Sequence, residues 1–154
     1  MDQRFIKDRL TQGFIAGVAG WPLQVVFTYT LYYLHLTKFR YLDFAAVLTF
    51  NHLPKGFLES LFAEIVVIVF QGVLGIGFSF LLNAISIENI YFKGWLYGTF
   101  CWFAIYAIVT LFRLEHIYPV DTLTALISLL AATPWAIIMT WVFKFLNKKF
   151  GQLN

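Results

Sequence analysis

Four long runs of apolar residues dominate the chain, and short polar segments separate each run from the next. The runs cover about residues 13–36, 57–83, 94–112 and 122–143. A helix needs ~20 mainly apolar residues to cross a bilayer, so each run is long enough for one span. Backbone groups in hydrocarbon must be hydrogen-bonded within their own segment, which favours helices over the short alternating strands of a barrel. The pattern predicts an all-α integral membrane protein, with four transmembrane helices in a compact antiparallel bundle.

The composition agrees with a chain whose main solvent is lipid. Apolar residues make up 60% of the 154 residues and charged residues 12%, and the mean hydropathy is +0.76. Soluble domains carry about 25% charged residues, roughly twice this share. Cys101 is the only cysteine, which excludes a disulfide-stabilised secreted protein. The longest basic run is Lys148-Lys149, so we expect no binding to nucleic acid.

The first run and the loop after it each allow two interpretations. The first run is too long for a signal peptide and no small-residue cleavage site follows it, so we expect it to be retained as a span. The loop, residues 37–56, contains an apolar segment at about 41–50 that is too short to cross a membrane. An interfacial helix on the outer leaflet is the favoured interpretation, and a re-entrant segment is the alternative. No internal repeat divides the chain, so residues 1–154 are expected to form a single membrane domain.

Lysine and arginine predict the orientation, because they concentrate on the cytoplasmic side of short loops. Seven lie on the side of the two termini, namely Arg4, Lys7, Arg9, Lys93, Lys144, Lys148 and Lys149. Four lie on the opposite side, namely Lys38, Arg40, Lys55 and Arg113. We therefore expect a multi-pass protein of the plasma membrane with both termini in the cytoplasm.

Small and polar residues recur at helical spacing in the first two spans. In the first span they are Gly13, Gly17, Gly20, Gln24, Thr28 and His35, and in the second they are Glu64, Gln71, Gly75 and Ser79. Such stripes allow close helix approach and hydrogen bonds between helices. If the two helices run antiparallel with level ends, the numbers of facing residues sum to about 93. This register predicts four contacts: Gly20 with Gly75, Gln24 with Gln71, Thr28 with Glu64, and His35 with Glu59.

The third and fourth spans carry simpler stripes. Gly94, Gly98 and Cys101 share one face of the third span, and small residues from Ala125 to Ala136 share one face of the fourth. The spacing of Gly94 and Gly98 is typical of close helix pairs, and it can also mediate dimers. Packing within one chain is the favoured interpretation.

Glu64 is the most informative polar residue, because it is the one acid well inside an apolar run. A charged and unpaired carboxylate in a membrane costs at least ~2.5 kcal/mol, so its presence needs a reason. One reason is structural: a protonated carboxyl group, or one bound to Thr28 or Tyr29, would hold two helices in register. The other is functional: Glu64 would bind a proton or a cation. The candidate intramembrane polar site is Glu64, Gln24, Gln71, Thr28, His35 and Glu59.

Motifs of the common enzyme and metal sites are missing from the sequence. The three histidines, His35, His52 and His116, all fall on the predicted outer side, but without the spacing of a metal site. No catalytic Ser/His/Asp order, phosphate-binding loop or dinucleotide fingerprint occurs. We therefore expect no catalytic residue, no metal and no cofactor.

Two functions fit these observations. The favoured one is a non-enzymatic accessory, assembly or scaffold module that works through helix contacts. The alternative is a small oligomeric carrier or proton-linked channel that uses Glu64. The expected partners are the lipid bilayer and either other membrane proteins or further copies of the chain.

Three short segments resemble a known family. They are Gly13 to Val18, Tyr33 to Thr37, and Gly94-Trp95 with Gly98 and Trp102. These segments are similar to the YqhR-type membrane proteins of spore-forming bacteria, and the resemblance covers about residues 10–143. It implies a bacterial plasma-membrane protein of four helices, and it assigns no site residue.

Overall fold

The computed structural model describes residues 8–85 and 88–150, apart from the side chain of residue 83, and this part of the chain contains helices but no strand. Its helices are α1 (Arg9–Ala19), α2 (Trp21–Tyr33), α3 (Tyr41–Phe50), α4 (Gly56–Ala84), α5 (Ile90–Phe112) and α6 (Thr122–Phe150). Four stretches are long and apolar enough to cross a membrane: α1 with α2, most of α4, α5, and α6. The all-α class and the four candidate spans are therefore confirmed.

The first span consists of two helices that meet at Gly20. Pro22 lies in the first turn of α2, where its missing N–H costs no helical hydrogen bond. The span begins at Arg9 and ends at Tyr33, so it does not include His35 as the apolar run predicts. His35 instead adopts a left-handed backbone conformation with φ 58° in the turn that follows. The last span runs to Phe150, beyond the predicted end at residue 143, and Asp121 caps its first turn by accepting from Thr124 N at 2.7 Å.

Helices α1 and α4 pack most closely, and glycines make this possible. Gly75 of α4 lies directly against Gly13 and Gly17 of α1, so closely that a β-carbon at residue 75 would lie 2.7 Å from the Cα atom of Gly17. Gly17 in turn contacts the backbone of Gln71. Gly20 does not meet Gly75; it contacts the indole ring and the carbonyl group of Trp135 on α6. The predicted contact between Gly20 and Gly75 is therefore wrong.

Helix α6 lies at the centre of the assembly and contacts α1, α2 and α5. The glycines of α5 face it: Gly94 contacts the side chain of Thr140, and Gly98 contacts Ala136. The prediction that these glycines pack within one chain is confirmed. The main apolar core lies between α1, α4, α5 and α6, and it is formed by Ala16, Phe78, Leu82, Ile90, Trp135, Ala136, Met139 and Phe143.

Helix α3 is present where the apolar segment predicts a helix, but it is enclosed on more than one side. Its residues from Leu42 to Val47 are all buried. Leu42 and Ala46 pack in a cluster with Ala63 of α4, while Phe44 packs in a cluster with Val109 of α5. Helix α3 is thus wedged between α4 and α5 and contacts the other helices on more than one face. We call the end of the molecule that it occupies the α3 end.

Ion pairs tie the loops together at the α3 end. Lys38 Nζ lies 2.8 Å from Asp121 Oδ2, and Lys38 N donates to Thr124 Oγ1 at 3.2 Å. The hydrogen bond from Lys38, followed by that from Thr124, lowers the pKa of Asp121 from its usual 3.8 to about 2. Arg40 pairs with Asp43 at 2.9 Å and stacks on the ring of Tyr32. The loop before α3 and the loop before α6 therefore lie at the same end of the molecule.

Candidate functional site

Glu64 is bound by two side chains from α2. It lies on α4 about 12 Å along the helix axis from Gly56, at 1.5 Å per residue. Trp21 Nε1 donates to Glu64 Oε1 at 2.6 Å, and Tyr29 OH donates to Glu64 Oε2 at 3.3 Å. An indole N–H can only donate, so the short bond from Trp21 fixes Glu64 Oε1 as an acceptor. Both carboxyl oxygens thus accept hydrogen bonds within the protein, and these bonds connect α4 to α2.

The sequence identified one of the two donors. Tyr29 was a predicted partner of Glu64, and its hydrogen bond is present. Thr28 was the other, but its hydroxyl group donates to the backbone carbonyl of Gln24 at 2.6 Å. The stripe predicted from the sequence does not include Trp21, because it assumes one unbroken helix and Trp21 follows the interruption at Gly20. The spacing of Trp21 and Tyr29, eight residues apart, places both on one face of α2 and was the available signal.

A second group of polar side chains connects helices nearer the middle of the spans. Gln71 Nε2 of α4 donates to Gln24 Oε1 of α2, so the predicted contact between the two glutamines is confirmed. The side chain of Tyr41 on α3 lies beside Gln24, and both border the same cavity. Tyr41 OH donates to the carbonyl oxygen of Ser128 at 2.8 Å. These residues link α4, α2, α3 and α6 through groups that would otherwise be buried without partners.

Ser128 extends this connection to α5. Its hydroxyl oxygen accepts from Trp102 Nε1 at 3.0 Å and lies 2.5 Å from Tyr106 OH. The polar belt, as we call it, comprises Gln71, Gln24, Tyr41, Ser128, Trp102 and Tyr106. It crosses the protein from α4 to α5. Interhelical hydrogen bonds of this kind contribute ~0.6–2 kcal/mol each in membrane proteins, which is enough to select one register among several.

One acceptor of the polar belt has no donor. Gln71 is 4% exposed, and its Oε1 atom is buried without a hydrogen-bond partner among the described residues. A buried acceptor in this state costs about 1–3 kcal/mol. Gln71 also lines a cavity, so its environment is not fully packed.

The cavity lies between α4 and α5, beside α3, and has a volume of about 240 Å³. Its walls are almost entirely apolar. Helix α4 contributes residues from Val66 to Leu74, α5 contributes residues from Gly98 to Val109, and α3 contributes residues from Tyr41 to Thr49. Ala132 and Trp135 of α6 close the back. The cavity is possible because α4 and α5 are consecutive in the chain but have few contacts with each other.

Two members of the candidate polar site lie away from both Glu64 and the polar belt. His35 is exposed in the turn after α2. Glu59 accepts from the backbone N–H of Lys55 at 2.6 Å and lies 3.7 Å from the ring of His52. The predicted contact between His35 and Glu59 is therefore wrong, because α2 ends before His35 and Glu59 is used at the start of α4. The structure brings Gln24 and Gln71 together and binds Glu64 to α2, but it does not join all six residues into one site.

The described residues contain no group of three or more His, Cys, Asp or Glu side chains arranged to hold a metal ion. The chain was also compared with protein-family models, with curated proteins and with solved structures. None of these comparisons finds a match.

Proposed function

We propose that the chain is a non-enzymatic membrane module, an accessory, assembly or scaffold subunit that acts through helix contacts. The observation that carries the proposal is the state of Glu64. Its two carboxyl oxygens accept hydrogen bonds from Trp21 and Tyr29. A carrier needs an acid that can exchange its proton or cation, whereas this one is used to join α4 to α2. Glu64 is also not among the residues that line the cavity.

Helix α5 offers the surface for such contacts. It has the smallest share of buried residues among the candidate spans. In its most apolar stretch of 18 residues 17% are buried, against 50% in the corresponding stretch of α6. Its outward face carries exposed apolar side chains at helical spacing, namely Phe92, Leu96, Phe100, Phe103 and Leu111. Aromatic side chains provide large contact areas in helix interfaces. We propose this face, the α5 stripe, as the contact surface for another membrane protein or a second copy of the chain.

The test combines site-specific photo-crosslinking with proton flux. A benzoyl-phenylalanine residue at Phe103 should give a discrete protein adduct in intact cells, and one at the exposed residue Val73 of α4 should not. Purified protein in vesicles with an imposed potential should carry no more protons than empty vesicles, with or without Glu64→Gln. Proton flux that Glu64→Gln abolishes, with no protein adduct at Phe103, would establish the carrier in place of the module.

We also propose that both termini lie in the cytoplasm and that the membrane is the plasma membrane. The seven-to-four distribution of lysine and arginine supports the orientation. The resemblance to the YqhR-type proteins supports the location. In this arrangement the α3 end faces outward.

Labelling of single cysteines tests the orientation. In a Cys101→Ala background, cysteines at Asp8, Asn51, Asn89 and Asn154 are exposed one at a time to an impermeant maleimide in intact cells. Only the cysteine at Asn51 should react, because it lies at the α3 end, and permeabilised cells provide the positive control for the rest. Reaction of Asn154→Cys in intact cells would reverse the orientation.

A further inference from the structure

We infer that the cavity between α4 and α5 is a binding site for one acyl chain of a membrane lipid. The inference rests on the proposed membrane location. It goes beyond that proposal because it assigns the chain a bound ligand.

The opening of the cavity faces sideways, at a depth where hydrocarbon surrounds the protein. Four residues that line the cavity are also exposed, namely Leu48 and Thr49 of α3, Phe70 of α4 and Ile108 of α5. Phe70 is the middle residue of α4, and Ile108 lies ~10 Å along α5 from its middle residue at 1.5 Å per residue. The hydrocarbon core extends ~15 Å on each side of its centre. The opening therefore reaches from the middle of the bilayer into the leaflet on the side of α3.

The chemistry of the cavity walls favours a hydrocarbon as the ligand. Side chains such as Val66, Val67, Leu74 and Ile105 supply most of the lining, and none of the described residues that line the cavity is charged. The lining holds few polar side chains: Gln24 accepts from Gln71, Tyr41 donates to the carbonyl oxygen of Ser128, and Gln71 Oε1 is an acceptor without a partner among the described residues. A headgroup or an ion would lose its hydration there without finding enough partners. An acyl chain leaves one apolar environment for another, so no loss of hydration opposes its entry.

The volume fits a segment of one acyl chain and not a whole lipid. A protein cavity of about 150 Å³ binds one benzene molecule, so about 240 Å³ has room for roughly ten carbon atoms. Gaps of this size are rare in packed proteins, since the lining loses dispersion contacts when nothing fills them. An acyl segment that enters between Phe70 and Ile108 would restore those contacts.

A photoactivatable phosphatidylcholine, with a diazirine in the middle of one acyl chain, tests the inference. The protein is reconstituted with this lipid, extracted into mild detergent, washed free of loosely held lipid, and irradiated. A resident chain should remain and label the walls at residues 66–74 and 98–109. Freely exchanging lipid would be removed by the wash and would leave the protein unlabelled, which would overturn the inference.

Matched variants show whether the cavity holds the lipid acyl chain. Val66→Phe narrows the cavity from α4 and Ala45→Leu narrows it from α3, so each should reduce labelling about tenfold by occupying the same space. Val73→Phe places the same ring at an exposed position outside the cavity and should leave labelling unchanged. Labelling that persists in both cavity variants, at wild-type melting temperature, would overturn the inference.

Carbonate extraction of the wild-type membranes separates the two proposals. If carbonate releases the polypeptide, the protein is not an integral membrane protein, and both the location and the lipid site are wrong. If the polypeptide stays in the membrane but retains no labelled lipid, only the lipid site is wrong.

Discussion

Replacing Gly75 with alanine should cost about 3 kcal/mol or more of unfolding free energy. The added methyl group would overlap the backbone carbonyl oxygen of Gly13 and lie 2.7 Å from the Cα and N atoms of Gly17. Backbone atoms cannot move aside as a side chain can, so α1 and α4 would have to separate along their length. Unfolding by a denaturing detergent in mixed micelles measures the change.

Gly77 provides the matched control on the same helix. A methyl group there would meet only the hydroxyl end of Tyr97, at 2.7 Å, a side-chain atom that can shift at the expense of its hydrogen bond to the carbonyl oxygen of Leu74. Gly77→Ala should therefore destabilise the protein much less, and its higher helix propensity offsets part of the cost. Equal losses for the two variants would mean that α1 and α4 are not in the close contact described here.

The sequence stripes identified the right faces but only part of the right register. The predicted pair of Gln24 and Gln71 is present, whereas the predicted pair of Gly20 and Gly75 is not. The numbers of the contacting residues Gly13 and Gly75 sum to 88, and those of Gln24 and Gln71 sum to 95. A single sum was expected because the first span was treated as one straight helix. The interruption at Gly20 changes the path of the chain, so one offset cannot hold on both sides of it.

The cavity could not be predicted from residue patterns. Periodicity indicates which side of a helix is polar or small, but it does not give the distance between two helices. Helices α4 and α5 stand apart because α3 is wedged between them, with Phe44 and Val47 packed toward α5 and Leu42 and Ala46 toward α4. In the sequence this segment is only a short apolar stretch in a loop. Its burial on both sides depends on tertiary contacts that no local pattern contains.

Trp21→Phe should destabilise the protein by about 1–3 kcal/mol, the cost of leaving an acceptor inside the protein without its donor. The phenyl ring keeps most of the packing but removes the N–H that donates to Glu64 Oε1 at 2.6 Å. The carboxyl oxygen would then be left in an apolar environment without its short bond. Trp141→Phe is the matched control, because Trp141 is 57% exposed on α6 and the same change should have little effect there.

Variants of Glu64 complete a double-mutant cycle that isolates this bond. Glu64→Gln should be close to wild type, since its amide oxygen can accept from Trp21 and its amide nitrogen can donate to Tyr29 OH. Glu64→Leu should lose stability, because it leaves both α2 donors without an acceptor. In the Glu64→Leu background, Trp21→Phe should then cost only the small difference in ring size. If Trp21→Phe costs the same in both backgrounds, the indole and the carboxyl group are not coupled, and Glu64 does not act as the tie between α2 and α4.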